Sequence, residues 1–110
     1  SKTNTAENEK DFLFAKTGYK SVKINYKDIL YIEGLKEYVG IHTEDARFLK
    51  LDSLLNLEKI LPSEKFLRVH KSFIVNLDHV KSHFGNIIEI SGKEIPIGRV
   101  YKERILKTLK

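Results

Sequence analysis

The stretch Phe66-Leu67-Arg68-Val69-His70-Lys71-Ser72-Phe73-Ile74-Val75-Asn76 does most to limit what this chain can fold into. Leu67 and Val69 alternate with Arg68 and His70, the period of two that a strand shows when one face lies in a core. Phe73, Ile74 and Val75 follow as an unbroken apolar run of β-branched and aromatic residues, which predicts a second, more deeply buried strand. Between them lie His70, Lys71 and Ser72, all able to donate hydrogen bonds. Such an insert, held between two anchored strands, is a platform for contacting something anionic.

The rest of the chain reads as short strands around that stretch. Residues 1–10 are polar and aperiodic and read as a linker or tag remnant ahead of a domain spanning 11–110. Phe12 to Lys16 and Ser21 to Asn25 form a hairpin across Thr17-Gly18, with Val22 and Ile24 inward. After a short turn at Tyr26-Lys27-Asp28, Ile29 to Glu33 is a strand apolar on both faces except for Glu33, and Gly34 marks a break or bulge. Lys36 to Thr43 and Arg47 to Leu51 are the next two strands, the latter with Leu49 and Leu51 inward. Asp52 or Ser53 caps a helix whose apolar face is Leu54, Leu57 and Leu61, with Leu55 and Ile60 beside it, and Pro62 ends it. Beyond Asn76, a turn at Leu77-Asp78-His79 leads to a strand from Val80 to Phe84. A tight Gly85-Asn86 turn and a last hairpin, Ile87 to Ile90 and Glu94 to Ile97, follow. Pro96 restricts that final strand to an edge. Tyr101, Ile105 and Leu109 predict a C-terminal helix. The fold class is therefore mostly β: about eight to ten short strands in antiparallel sheets, one small internal helix and one C-terminal helix.

Composition narrows the chemistry. There is no cysteine, so no disulfide framework, thiolate zinc site or thiol nucleophile, which suits a reducing cytoplasm. No run is long and apolar enough to span a bilayer. The lack of any methionine points to an excised piece of a longer protein. The net charge of +5 is concentrated at the end: residues 93–110 hold six cations against Glu94 and Glu103. A basic end suits nucleic acid, a membrane surface or an acidic protein; a solvated basic helix is the bland alternative.

No Gly-x-Ser-x-Gly elbow, phosphate-binding glycine loop or His-Glu-x-x-His helix is present, so we expect no enzyme and no cofactor. His79 and His83 are four apart, but they bracket a turn and a strand and have no evident third ligand. His70 and Ser72 on one strand do not make a nucleophile and base. The competing reading of His70 is a half-buried ring bonded to backbone. Binding is better served. If the insert at His70-Lys71-Ser72 and the turn at Gly98-Arg99 share an edge, Lys71 and Arg99 are presented together, one as a point charge and one as a planar fork. Tyr38 is a third candidate contact, against the alternative of a ring packed on the sheet. Lys71 as an ordinary exposed lysine is the plain alternative for that residue. Arg99 falls near a helix start, where the macrodipole disfavours a cation, which favours a functional reason for it. Lys102, Arg104 and Lys107 are candidate phosphate contacts.

Three blocks resemble a known family: Ile29-Leu30-Tyr31-Ile32-Glu33-Gly34, the long stretch Phe66 to Asn76, and Lys93-Glu94-Ile95-Pro96-Ile97-Gly98-Arg99. In order and spacing they are similar to the signature blocks of the LytTR DNA-binding domain, over roughly residues 12–109. The resemblance implies antiparallel sheets whose loops enter successive major grooves of duplex DNA. By position it implies base reading by Tyr38, Lys71 and Arg99. It implies backbone or phosphate contacts by His70 and Ser72, and structural roles for Arg68 and Asn76. It also implies the output domain of a bacterial response regulator behind a receiver domain, with two monomers on direct-repeat half-sites. The reading of a different class is a protein-interaction module whose basic C-terminal helix meets an acidic partner. RNA binding would call for exposed aromatics on a sheet, whereas Phe12, Phe14, Phe48 and Phe73 read as core.

Overall fold

The amino-terminal hairpin pairs β1 (Phe12–Thr17) with β2 (Lys20–Asn25), in register from Phe12 opposite Asn25 to Thr17 opposite Lys20. The computed structural model describes residues 11–109, so the linker read at residues 1–10 lies outside the described residues. A 3-10 turn at Tyr26–Asp28 leads into β3 (Ile29–Gly34), followed by β4 (Val39–Thr43), β5 (Arg47–Lys50) and helix α1 (Leu54–Ile60). Next come β6 (Phe66–His70), β7 (Phe73–Asn76), β8 (Ser82–Phe84), β9 (Ile87–Ile90), β10 (Lys93–Pro96) and helix α2 (Lys102–Leu109). Further 3-10 turns occupy Leu77–His79 and Arg99–Tyr101. The strands form a five-stranded sheet of order β5-β4-β3-β7-β6, a three-stranded sheet β10-β9-β8 and the β1-β2 ribbon. Every pairing is antiparallel: short connections join the sequence neighbours, and β3 pairs with β7 to unite the β3-β4-β5 and β6-β7 units in one sheet.

β3 is apolar on both faces because both faces of the central sheet are covered. Ile32, Val39, Ile41 and Ile74 meet Leu13, Ala15 and Ile24 of the hairpin and Leu54, Leu57 and Leu61 from α1 and its end. On the other side Tyr31, Val69 and Val75 meet Ile88, Ile90 and Ile95 of the small sheet and Ile105 of α2. Ile105 is fully buried, so the one apolar side of α2 is committed to this core. Asn76 is the polar residue buried among these, with its amide bonded to the carbonyls of Tyr26 and Ile29. The turns follow their residue types. Ser91 and Gly92 both have positive φ, as a two-residue hairpin of the I′ kind requires, and Gly85 takes positive φ at the first turn position between β8 and β9. Ser53 caps α1, its Oγ accepting from the Asn56 N–H at 3.1 Å. Pro96 sits on β10, an edge strand of its sheet.

Several expectations need correction. Leu49 and Leu51 do not point inward: they are 42% and 70% exposed. Pairing of Phe48 with Ile41 turns Phe48 onto the first core and puts Leu49 opposite Gly40 on the other face, at the outer edge. Phe14 is exposed, because Leu13 and Ala15 take the inward positions of β1. Leu55 and Ile60 are exposed flanks of α1. Of the break or bulge expected at Gly34 the structure has the break, since Gly34 ends β3; the bulge-like irregularity lies between Ile29 and Tyr31. β4 begins at Val39, leaving Lys36 to Tyr38 in a loop, and β8 begins at Ser82 rather than Val80.

Candidate nucleic-acid interface

Three connections far apart in sequence meet at one end of the central sheet. They are the β3–β4 loop (residues 35–38), the β6–β7 loop (71–72) and the segment after β10 (97–101). The Gly34 N–H donates to the Ser72 carbonyl at 2.8 Å, tying the first to the second. The Gly98 N–H donates to the Val69 carbonyl at 2.7 Å, tying the third to the second. The fit at Gly98 is close: a Cβ there would lie 3.0 Å from Cδ2 of Tyr101 and 3.5 Å from Cα of His70. Within the first loop, Leu35 N–H donates to the Tyr38 carbonyl at 2.8 Å. The edge on which Lys71 and Arg99 were expected to come together therefore exists.

The side chains on this edge differ in what they are free to do. Lys71, Arg99 and Lys102 are exposed. The ion pairs among the described residues involve His42, Lys50, Lys65 and Arg68, and none involves these three. Arg99 opens the 3-10 turn that runs into α2, and the Lys102 N–H bonds to its carbonyl, so Lys102 sits one turn further on. Tyr38 is 44% exposed at its loop end. His70 is half-buried, its Nδ1 accepts from the Ser72 N–H at 3.0 Å and its ring lies 5.7 Å from that of Phe73. That is the backbone-bonded histidine weighed against a functional one, so only its outer edge faces outward. Ser72 is half-buried, with its carbonyl committed to Gly34.

Sequence reasoning missed two residues here, Val100 and Glu58, and gave Arg68 only a structural role. Val100, beside Arg99, is 84% exposed, an apolar side chain projecting at the same edge. Arg68 and Glu58 form a 2.9 Å ion pair behind the β6–β7 loop. A charged residue between Leu67 and Val69 was the available signal for Arg68, since a half-buried guanidinium must find partners. Away from the edge, His42 stacks on Tyr31 with centroids 4.2 Å apart and bonds Glu33 Oε1 at 3.2 Å. Burial holds its pKa below the ordinary histidine value, and the Glu33 hydrogen bond and charge oppose that shift. His79 turns Nε2 to the Lys27 carbonyl at 2.7 Å, at the far end of the molecule from the loops.

Antiparallel sheets with exposed cations on converging loops, none of them in an ion pair among the described residues, are the kind of surface that suits a polyanion. The family described as LytTr DNA-binding domain matches residues 19–110. The chain is 34% identical over 98 residues to the sensory transduction protein LytT of Bacillus subtilis, covering 84% of this chain and 41% of that protein. It is 33% identical over 84 residues to the CO-responsive transcriptional regulator RcoM of Rhodospirillum rubrum, covering 70% of this chain and 36% of that one. A solved LytTr DNA-binding domain from Bacillus cereus superposes with a TM-score of 0.85 at 24% identity, over 92% of this chain and 98% of that chain, a likeness of fold. This chain belongs to the LytTr DNA-binding domain family. It spans about two fifths of the length of the LytT proteins it matches. No described helix is long and apolar enough to cross a membrane.

Proposed function

We propose that this domain binds duplex DNA sequence-specifically, as the output domain of a transcriptional regulator working in the bacterial cytoplasm. The observation that carries the reading is the joining of the three loops by two backbone hydrogen bonds, with Lys71 and Arg99 on them and Lys102 at the start of α2, all three outside any ion pair among the described residues. Arg99 is the base reader best suited to guanine, because its planar fork matches the O6 and N7 acceptors of the major groove. Lys71 reaches the same groove as a point charge. Tyr38 makes a third contact from the β3–β4 loop. His70, Ser72 and Lys102 serve phosphates, which fix register without reading sequence. In the longer protein a receiver domain precedes this one, and two copies occupy direct-repeat half-sites.

The protein-interaction reading, a basic α2 meeting an acidic partner, is less favoured because the family that the chain belongs to is described as a DNA-binding domain. The test is selection from a random duplex library, followed by titration of the recovered site over a salt series. A defined motif should emerge, and log affinity should fall linearly with log salt, at about −0.9 per phosphate neutralised. Recovery of no motif, or an affinity indifferent to salt, refutes the proposal.

A further inference from the structure

Arg68 leaves β6 with its side chain 14% exposed and turns back on the loop that follows it. Its Nε donates to the His70 carbonyl at 2.8 Å, and its Nη2 donates to the Lys71 carbonyl at 2.8 Å. Its Nη1 donates to Glu58 Oε1 on α1 at 2.9 Å. The guanidinium carbon lies 5.9 Å from the ring centroid of Tyr101, in the segment that carries Arg99. One planar group thus touches the Lys71 loop, the internal helix and the Arg99 segment.

The β6–β7 pairing shifts register between Arg68 and His70. Such an irregularity frees backbone groups from the ladder and re-aims the chain. Arg68 supplies donors to two carbonyls in this stretch. Its charge is spent on Glu58, so it adds little to the field that attracts phosphates.

We propose that Arg68 is a positioning residue. It sets the direction of Lys71 relative to Arg99 and so determines sequence discrimination without touching DNA. The inference rests on the loop edge being the DNA-reading surface. It separates Arg68 from residues that merely hold the fold, because its bonds go to loop carbonyls at the edge. A lysine cannot replace it: a single ammonium on a flexible stem does not reproduce a planar fork that reaches two carbonyls and a carboxylate at once.

The experiment measures Arg99→Ala, Arg68→Lys and Glu58→Ala on the selected site and on a scrambled duplex, over a salt series. Thermal unfolding and amide hydrogen exchange at Lys71 and Ser72 are followed alongside. Arg99→Ala is the reference for the edge itself: if it leaves the ratio of specific to non-specific affinity unchanged, the loop-edge reading has failed. With that ratio lowered by Arg99→Ala, Arg68→Lys should lower it at least about fivefold, the small end of what one good base contact supplies. Its non-specific affinity and salt slope should stay at wild-type values, and exchange at Lys71 and Ser72 should quicken. An equal loss on both duplexes with a shallower salt slope makes Arg68 a phosphate contact and overturns the proposal. A wild-type ratio overturns it too. Should Arg68→Lys fail to fold, Glu58→Ala on the helix surface decides. Removing that carboxylate raises affinity for both duplexes but should still lower their ratio; an unchanged ratio overturns the proposal.

Discussion

Asn76→Ala should remove a large part of the domain's stability while leaving its DNA preference intact. Asn76 is 1% exposed and uses its whole amide: Nδ2 donates to the carbonyls of Tyr26 at 3.2 Å and Ile29 at 2.8 Å, and Oδ1 accepts from the Asp78 N–H at 3.0 Å. Alanine leaves the Ile29 carbonyl without that donor inside a closed core and takes the acceptor from the Asp78 N–H, while the Tyr26 carbonyl keeps its bond from the Ile29 N–H. A buried polar group left unpaired costs about 1–3 kcal/mol, and the Ile29 carbonyl sets that scale here. That is a substantial share of the roughly 5–15 kcal/mol that holds a domain folded. Asn76→Asp should be worse, because a carboxylate would face two carbonyl oxygens with no proton to offer. The assay is urea unfolding followed by circular dichroism, with a lower midpoint expected at unchanged slope. These bonds lie at the start of β3, the end of the sheet opposite the loops, so protein still folded at low temperature should select the same DNA motif. A loss below about 1 kcal/mol, the scale of a surface substitution, would refute the reasoning.

Three further outcomes follow. Gly98→Ala adds a Cβ 3.0 Å from the Tyr101 ring and 3.5 Å from the His70 backbone. Its φ of −72° is ordinary, so the substitution should move the Arg99 segment away from the Lys71 loop and weaken specific DNA binding more than it lowers Tm. For His42, burial depresses the native pKa below the reference value of 6.5, so below that pH the unfolded chain binds more protons. Its contribution to stability is therefore intact above pH 6.5 and is lost as pH falls through the native pKa; His42→Gln should unfold with a flatter dependence between pH 7.5 and 5.5, and an unchanged dependence would contradict this. Phe48→Ala should destabilise more than Leu49→Ala in the same urea assay, because Phe48 packs on the first core and Leu49 is 42% exposed.

The elements most legible in the sequence are those whose residues leave one physical solution. Ile29 to Ile32, apolar throughout, predicts a strand covered on both sides, and both cores lie against it. Pro96 predicts an edge strand, and β10 is one. The phase of β5 was not legible. Arg47-Phe48-Leu49-Lys50-Leu51 alternates equally well either way, with two leucines on one face and one phenylalanine on the other. The structure chooses Phe48 because β5 pairs it with Ile41 on the covered face. Phe14 is exposed for a related reason: a hairpin ribbon needs only one buried face, and Leu13 and Ala15 supply it. At the site, the residue types and the long block pointed to Lys71 and Arg99. The bonds Gly34 to Ser72 and Gly98 to Val69, which bring their loops together, leave no trace in local periodicity because they join distant segments. Arg68's role depends on Glu58 arriving from α1, a contact that no spacing rule supplies.

The most direct measurement is a binding-site selection run in parallel on the wild-type domain, Lys71→Ala, Arg99→Ala and Arg99→Lys at one salt concentration, with circular dichroism confirming the fold. If the loop edge reads bases, Arg99→Ala costs about 1–3 kcal/mol on the wild-type site and relaxes preference at one base position. Arg99→Lys restores charge without restoring that preference. Lys71→Ala weakens binding as well, with more of its loss shared by non-specific DNA. Selection of the unchanged wild-type motif by both alanine variants, with affinity reduced equally for every sequence, would make these residues phosphate contacts and contradict the account.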